Sequence, residues 1–264
     1  ATAVFSLPSR AAMKSAVAVV VVLVAVVVDL ALTAKLPTYI KSCKRNDPKL
    51  NECALKNGRE AIPLIIDGDS KLGIPKLDPL EIEKVVVGDS KSGRGLGITF
   101  SCNKCLISGL RNVKLEDAKF DLEKKHIELR GSVASIGVNG KYTANGKVLI
   151  LPIKGDGDAN LTLGDLKLTY KTDFDLQKGK DGKDHIQLKS PELDFQANKF
   201  NIKLTNLFNG DKTLGNQMNV FLNENWEEVL KEFRPAVGQA VGQIMTLIVN
   251  QIAEKVPYDE IFPK

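Results

Sequence analysis

The sequence predicts an α+β protein in which a curved antiparallel meander carries a long C-terminal helix along its apolar face, with a short helix ahead of the sheet. Two patterns and one local signal predict it. Residues 82–208 alternate apolar and polar with period two, residues 225–256 carry an apolar stripe at helical spacing, and Asp47-Pro48 reads as a helix start. The composition is that of a globular protein: of 264 residues 43% are hydrophobic, 26% charged and 6% aromatic. A chain of this length buries roughly 70–75% of its unfolded surface and needs no metal or disulfide to fold. An excess of five basic residues, spread along the chain, is too weak and too dispersed for a nucleic-acid interface.

The first 34 residues stand apart from this fold. Lys14 is followed by thirteen residues, 16–28, that are all Ala, Val or Leu, and small residues end the segment. A basic start, an apolar run of 7–15 residues and a small-residue end describe a secretory signal peptide over residues 13–34, with residues 1–12 as an upstream extension. Cleavage falls after Ala31 or Ala34. An uncleaved anchor would have to bury Asp29, at a cost of roughly 2.5–3.5 kcal/mol, and a buried core strand is the third reading. Residues 35–264 then form one secreted, extracellular domain.

Within that domain, Asp47 as N-cap and Pro48 at the first helical position open a helix running to about Ile66, shortened or bent by Gly58 and Pro63. The segment KLGIPKLDPL at 71–80 is an extended connector. The runs AKFDL (118–122), LKLTY (166–170) and FNIKL (200–204) then alternate as strands with one apolar and one charged face. Asn139-Gly140, Asn145-Gly146, residues 155–158 and residues 178–183 read as the turns between strands. Residues 93–97, GRGLG, are not a G-x-G-x-x-G and open no helix, so nucleotide binding is not indicated. In the last forty residues Trp226, Val229, Leu230, Phe233, Val237, Val241, Ile244, Met245, Ile248, Ile252 and Val256 share one face. Asn225 with Glu228 forms a capping pair, Pro235 bends the helix, and the whole would be about 48 Å long. Such a helix needs a long apolar trough, which the one-sided sheet supplies.

Few residues offer chemistry. The two histidines, His126 and His185, sit beside lysines and aspartate in solvent-like contexts; they are too few for a multi-histidine metal centre, and no G-x-S-x-G is present, so neither an enzyme nor a metal site nor a bound cofactor is indicated. The four cysteines of a secreted chain imply two disulfides in one of three connectivities. A bond between Cys43 and Cys53 would close 11 residues, worth about 3 kcal/mol in chain entropy. Cys102 and Cys105 form a C-x-x-C that reads as a local bond or free thiols in a turn, as a redox pair, or as half a metal site; no helix start or second ligand pair accompanies it. Asn160 heads the one glycosylation sequon, NLT. The cluster Lys41, Lys44 and Arg45 reads as a solvated N-terminal segment or as a contact for anionic headgroups.

The segment PTYIKSCKRNDPKLNEC at 37–53 resembles the start of the takeout and juvenile-hormone-binding protein family of insects. LGIPKLDPL (72–80), GLRNV (109–113), GKY (140–142), LILPIKGDG (149–157), LNENW (222–226) and VPYDEIFP (256–263) follow in family order. The resemblance covers about residues 35–264. It implies a tubular fold, a curved sheet wrapped around a long C-terminal helix and enclosing an apolar tunnel, and carriage of a juvenile-hormone-like terpenoid, a fatty acid or another lipid. The Cys43–Cys53 spacing matches the family's first disulfide, whereas Cys102 and Cys105 do not match the second bond of the hormone-binding branch, which favours the takeout branch. Pattern alone favours a filled core between the two apolar faces over an open tunnel; only the resemblance reverses that order.

If they enclose a tunnel, its wall would include Phe233, Val237, Val241, Ile244, Met245 and Ile248 on the helix. Phe100, Ile136, Tyr142, Ile150 and Phe195 would come from the sheet, with the Tyr142 hydroxyl placed to orient a ligand oxygen. The resulting reading is a secreted, monomeric carrier of a small hydrophobic ligand; the alternative is a lipid-binding or transfer protein that makes transient membrane contact.

Overall fold

The computed structural model describes residues 36–87 and 97–264; the leader read over residues 13–34, the extension before it and most of the 93–97 motif lie outside them. Helix α1 (Leu50–Ile65) precedes seven strands: β1 (Leu80–Val87), β2 (Ile98–Ser108), β3 (Lys114–Asp121), β4 (His126–Val148), β5 (Leu151–Lys178), β6 (Asp184–Gln196) and β7 (Lys199–Leu204). Helices α2 (Lys212–Glu224), α3 (Trp226–Lys255) and α4 (Tyr258–Ile261) follow. One antiparallel sheet runs β1-β2-β4-β5-β6. The long β4–β5 hairpin is its spine: β4 pairs first with β3 and then with β2, and β5 first with β7 and then with β6. A straight strand of 28 residues such as β5 would extend about 90 Å, so twist must coil the sheet upon itself.

The glycines expected to mark turns serve a different purpose. Asn139-Gly140 and Asn145-Gly146 lie inside β4, and residues 155–158 inside β5. A Cβ on Gly140 would stand 2.9 Å from the Cys102 sulfur, and one on Gly155 would meet the Tyr142 hydroxyl and stand 2.9 Å from Leu207. These glycines admit close neighbours across the concave face. The hairpin turns instead at Leu149-Ile150, with Leu149 at φ +54° and its N–H donated to Glu232 of α3 at 3.1 Å.

The helix expected over residues 225–256 is α3, and a further helix, α2, precedes it. Asp211 caps α2 by accepting from Leu214 N at 3.0 Å. Asn225 does not make the capping pair with Glu228; its carboxamide turns back and donates to Phe221 O at 2.8 Å, finishing α2. On α2, Asn219 and Asn223 lie one turn apart and dock on the edge of β7. Each accepts from a strand N–H, of Leu204 and Ile202, and donates to the same residue's carbonyl, at 2.7–2.9 Å. Asn250 of α3 does the same for Leu188 of β6. The carboxamides complete edges that would otherwise present unpaired backbone groups.

At the other end the N-terminal segment is tied to the C-terminus. Cys43 is bonded to Cys53 of α1. Cys43 N donates to Ile261 O and Arg45 N to Pro263 O. The Arg45 guanidinium lies 4.7 Å over the Tyr258 ring and pairs with Asp259, and Lys41 pairs with Glu60 at 2.6 Å. Two of the three basic residues read as a headgroup contact are therefore engaged within the protein. His185 departs from its solvent-like reading as well. It is 6% exposed, with Nδ1 at 2.8 Å from Ala253 O and Nε2 at 3.1 Å from both Asp181 carboxylate oxygens, joining the β5–β6 turn to α3. Burial alone would raise the Asp181 carboxyl, but Lys183 N–H and His185 outweigh it and hold the group below the usual range.

Helix α3 packs mainly on β6, where Gly238 and Gly242 face Leu193 and a Cβ on Gly238 would stand 2.2 Å from Leu193 O. In a free helix Gly238→Ala would add about 1 kcal/mol of stability. Here it should instead lower stability by about 1–3 kcal/mol, because the methyl drives α3 off the strand. A thermal melt should show a fall of several degrees; a rise would mean that the close approach does not hold the helix.

Candidate ligand-binding site

Between α3 and the β1–β2 side of the sheet lies a partly open cavity of about 200 Å³ with an apolar wall. Strand alternation builds it. Ile82, Val85 and Val87 of β1 and Ile98, Phe100 and Cys102 of β2 turn inward on one side. Leu161 and Leu163 of β5 and Phe200, Ile202 and Leu204 of β7 form the floor. Val229, Phe233, Val237, Val241 and Ile244 of α3 form the roof. Among the described residues no charged, hydroxyl or amide side chain is in the wall. The site can therefore hold an apolar body by exclusion from water and has no side-chain donor or acceptor with which to orient one.

Of the eleven wall residues expected from sequence, Phe100, Phe195, Phe233, Val237, Val241 and Ile244 line this space. The other five are elsewhere. Ile150 is at the hairpin tip and 84% exposed, because the turn falls on it. Ile136 packs in a neighbouring cluster with Val133, Leu166 and Leu230. Ile248 packs with Leu72, Ile74 and Val256, and Met245 is half-buried outside the wall. The space stops near Ile244 because the next turn of α3 is bridged to the sheet: Thr246 and Tyr170 share a buried hydroxyl hydrogen bond of 2.8 Å.

Tyr142 is fully buried beneath the wall. Its ring stacks on Phe100 at 5.6 Å, and its hydroxyl points away and donates to Thr205 O at 2.8 Å. Burial, with Asp156 adding to it, pushes the phenol up to about 12. That hydroxyl is committed to the fold and lies outside the chamber wall, in which the sequence reading places it. Of the strand residues that sequence reasoning missed, Leu161 and Leu163 carried a usable signal in their alternation, which does not say which strands face empty space; Ile82 and Val85, three residues apart, break the period of two.

Cys102 is bonded to Cys105 within β2, with no helix start beside the pair. Among the described residues no group of three His, Cys, Asp or Glu is placed to hold a metal ion. His126 pairs with Asp173 at 2.8 Å on the outer face. Asn160 is exposed on the outer face of β5 and donates to Asn139 at 2.5 Å.

A coiled sheet closed by a long helix over an apolar chamber defines the class of hydrophobic-ligand-binding proteins. The chain belongs to the haemolymph juvenile hormone binding protein family, whose model matches residues 18–263. It is similar to the circadian clock-controlled protein daywake of Drosophila melanogaster, 24% identical over 233 residues, covering 86% of this chain and 88% of that one. It is also 21% identical over 206 residues to a candidate beta-carotene-binding protein of Schistocerca gregaria, covering 78% of this chain and 80% of that one. Among solved structures, Takeout 1 of Epiphyas postvittana matches with a TM-score of 0.73 at 30% identity, covering 85% of this chain and all of that one.

The Tyr142 geometry separates folding from binding. Tyr142→Phe should cost about 0.5–1.5 kcal/mol by removing the hydrogen bond from the buried hydroxyl to Thr205 O, while a fluorescent fatty-acid probe should bind with unchanged Kd. A weakened Kd with unchanged melting would return the hydroxyl to the ligand.

Proposed function

We propose that this chain is a secreted, monomeric carrier that holds one small hydrophobic molecule in the chamber between α3 and the sheet: a terpenoid like juvenile hormone, a fatty acid or another lipid. The observation that carries the reading is a wall made only of apolar side chains around unfilled space; a folding core of such residues would close to native density. The family's name and the ligands named for its members support the same class. In this reading residues 13–34 are the export signal, residues 1–12 an extension of it, residues 35–264 the working domain, and exposed Asn160 carries the glycan. The protein acts by binding and release and not by catalysis. The membrane-contacting alternative rested on Lys41, Lys44 and Arg45, and the commitment of Lys41 to Glu60 and of Arg45 to Tyr258 and Asp259 favours the soluble carrier.

Native mass spectrometry of the secreted protein, followed by organic extraction, should find a bound apolar molecule. Two tryptophan substitutions locate it. Val241→Trp fills the chamber, so it should abolish probe binding at little cost in melting temperature, and the stabilisation of about 2.7 kcal/mol given by ligand at a hundredfold excess over Kd should vanish. Ile248→Trp strikes the packed cluster with Leu72 and Val256 and should cost about 1–3 kcal/mol with binding retained. The opposite pattern would place the ligand on the far half of α3.

A further inference from the structure

The two strands that make one wall of the chamber change face at the same level, and the Cys102–Cys105 bond lies on that level. Along β2, Ile98, Phe100 and Cys102 face inward, and past the bond it is Cys105 and Ile107 that do so. Even-numbered residues face the chamber before the bond and odd-numbered ones after it. The pairing with β4 shows why: Asn103 opposes Lys141 and Leu106 opposes Asn139, so β2 carries one extra residue in a bulge. Lys104, inside the bulge, has φ +48°. In an unbroken strand with period two, Lys104 and Leu106 would follow Cys102 onto the inner face. With the bulge, both are exposed.

Strand β1 repeats the change. Ile82, opposite Cys105, faces inward; Glu83 and Lys84 are both exposed; Val85, opposite Cys102, and Val87, opposite Phe100, face inward again. On the other side β4 makes room for the bridge with Gly140, where a Cβ would stand 2.9 Å from the Cys102 sulfur and 3.1 Å from the Cys105 Cα. Three strands are thus fitted to one sulfur bridge, and Cys102 is itself part of the wall.

We propose that the Cys102–Cys105 bond is the element that sets the face of the β1–β2 wall and so makes the chamber competent to bind. It joins the last inward residue of one phase to the first inward residue of the next, fixing the bulge where it excludes Lys104 from the chamber. A bulge without that tie can migrate along the strand, and each one-residue shift exchanges an apolar wall residue for Lys104, Ser101 or Asn103. This inference rests on the carrier reading.

The test uses the full secreted chain and a fluorescent fatty-acid probe. Cys102→Val with Cys105→Val keeps apolar bulk and removes only the tie; Kd should weaken at least tenfold while thermal unfolding stays cooperative. Adding Lys104→Gly, which relieves the left-handed residue, should restore part of the affinity, a response that general loosening does not give. Cys43→Val with Cys53→Val should lower the melting temperature and leave Kd within twofold. If the first pair does not fold, Gly140→Ala, which presses on the bridge with all cysteines in place, should weaken Kd several-fold. A Kd within twofold of the parent in the first pair, or in Gly140→Ala where that pair does not fold, or equal losses from the two cysteine pairs, overturns the inference and leaves the carrier reading standing. A parent that binds no hydrophobic probe overturns both.

Discussion

The unpaired edge of β6 is the constraint from which the rest of the architecture follows. Backbone donors and acceptors along that edge must be satisfied, and α3 does so by coming very close. Asn250 takes the place of a neighbouring strand at Leu188, and Gly238 brings the helix backbone against Leu193. A helix held so tightly to one margin of a trough cannot also fill the other margin. The space left between Phe233, Val237 and Ile244 and the β1–β2 side is the geometric remainder. Helix α2 repeats the device on β7 with Asn219 and Asn223, which closes the floor and brings Leu222 into the chamber wall.

What limits the chamber is equally specific. Toward the C-terminal half of α3, the Tyr170–Thr246 hydrogen bond draws helix and sheet together. Beyond it Phe174, Ile186, Leu188, Ala253 and Phe262 form a packed plug. That plug is held by the pairing of residues 43–45 with 261–263, by the Cys43–Cys53 bond and by Arg45 over Tyr258. The two ends of the domain therefore differ in kind: one is solid and cross-braced, the other built around unfilled volume.

The elements set by local periodicity were legible in the sequence. The helix start read at Asp47-Pro48 falls two residues early: α1 opens at Leu50 with Lys49 before it, and Asp47 accepts from Lys49 N at 2.8 Å in the preceding turn. The strands alternate apart from the face change in β1 and β2, and the stripe on α3 places four of its expected wall residues, with Phe100 and Phe195 of the sheet, around one space. What local pattern could not show is how distant segments meet. Gly140 and Gly146 carry the strongest short-range turn signal in the chain, yet they sit in mid-strand because a sulfur bridge and the Gly97 backbone press against them. With the turn displaced to Leu149-Ile150, Ile150 changes from a wall residue to an exposed tip. Helix α2 was missed because it buries only Met218 and Leu222, each followed directly by an asparagine that serves β7. His185 was read from its charged neighbours in sequence, while its environment is set by Ala253, 68 residues away.

In the proposed carrier, a wall with no hydrogen-bonding side chain among the described residues constrains recognition itself. Each methylene moved from water into the chamber contributes about 0.8 kcal/mol regardless of where it sits in the guest, and nothing in the wall rewards one oxygen pattern over another. Selectivity is then a matter of length and girth: molecules too short leave contacts unmade, molecules too long leave carbon in water, and isomers of equal volume compete on nearly equal terms. The heat capacity should fall on association in proportion to the apolar surface covered. Any discrimination finer than size has to come from atoms of the guest that remain outside the chamber, where they meet solvent or whatever receives the cargo.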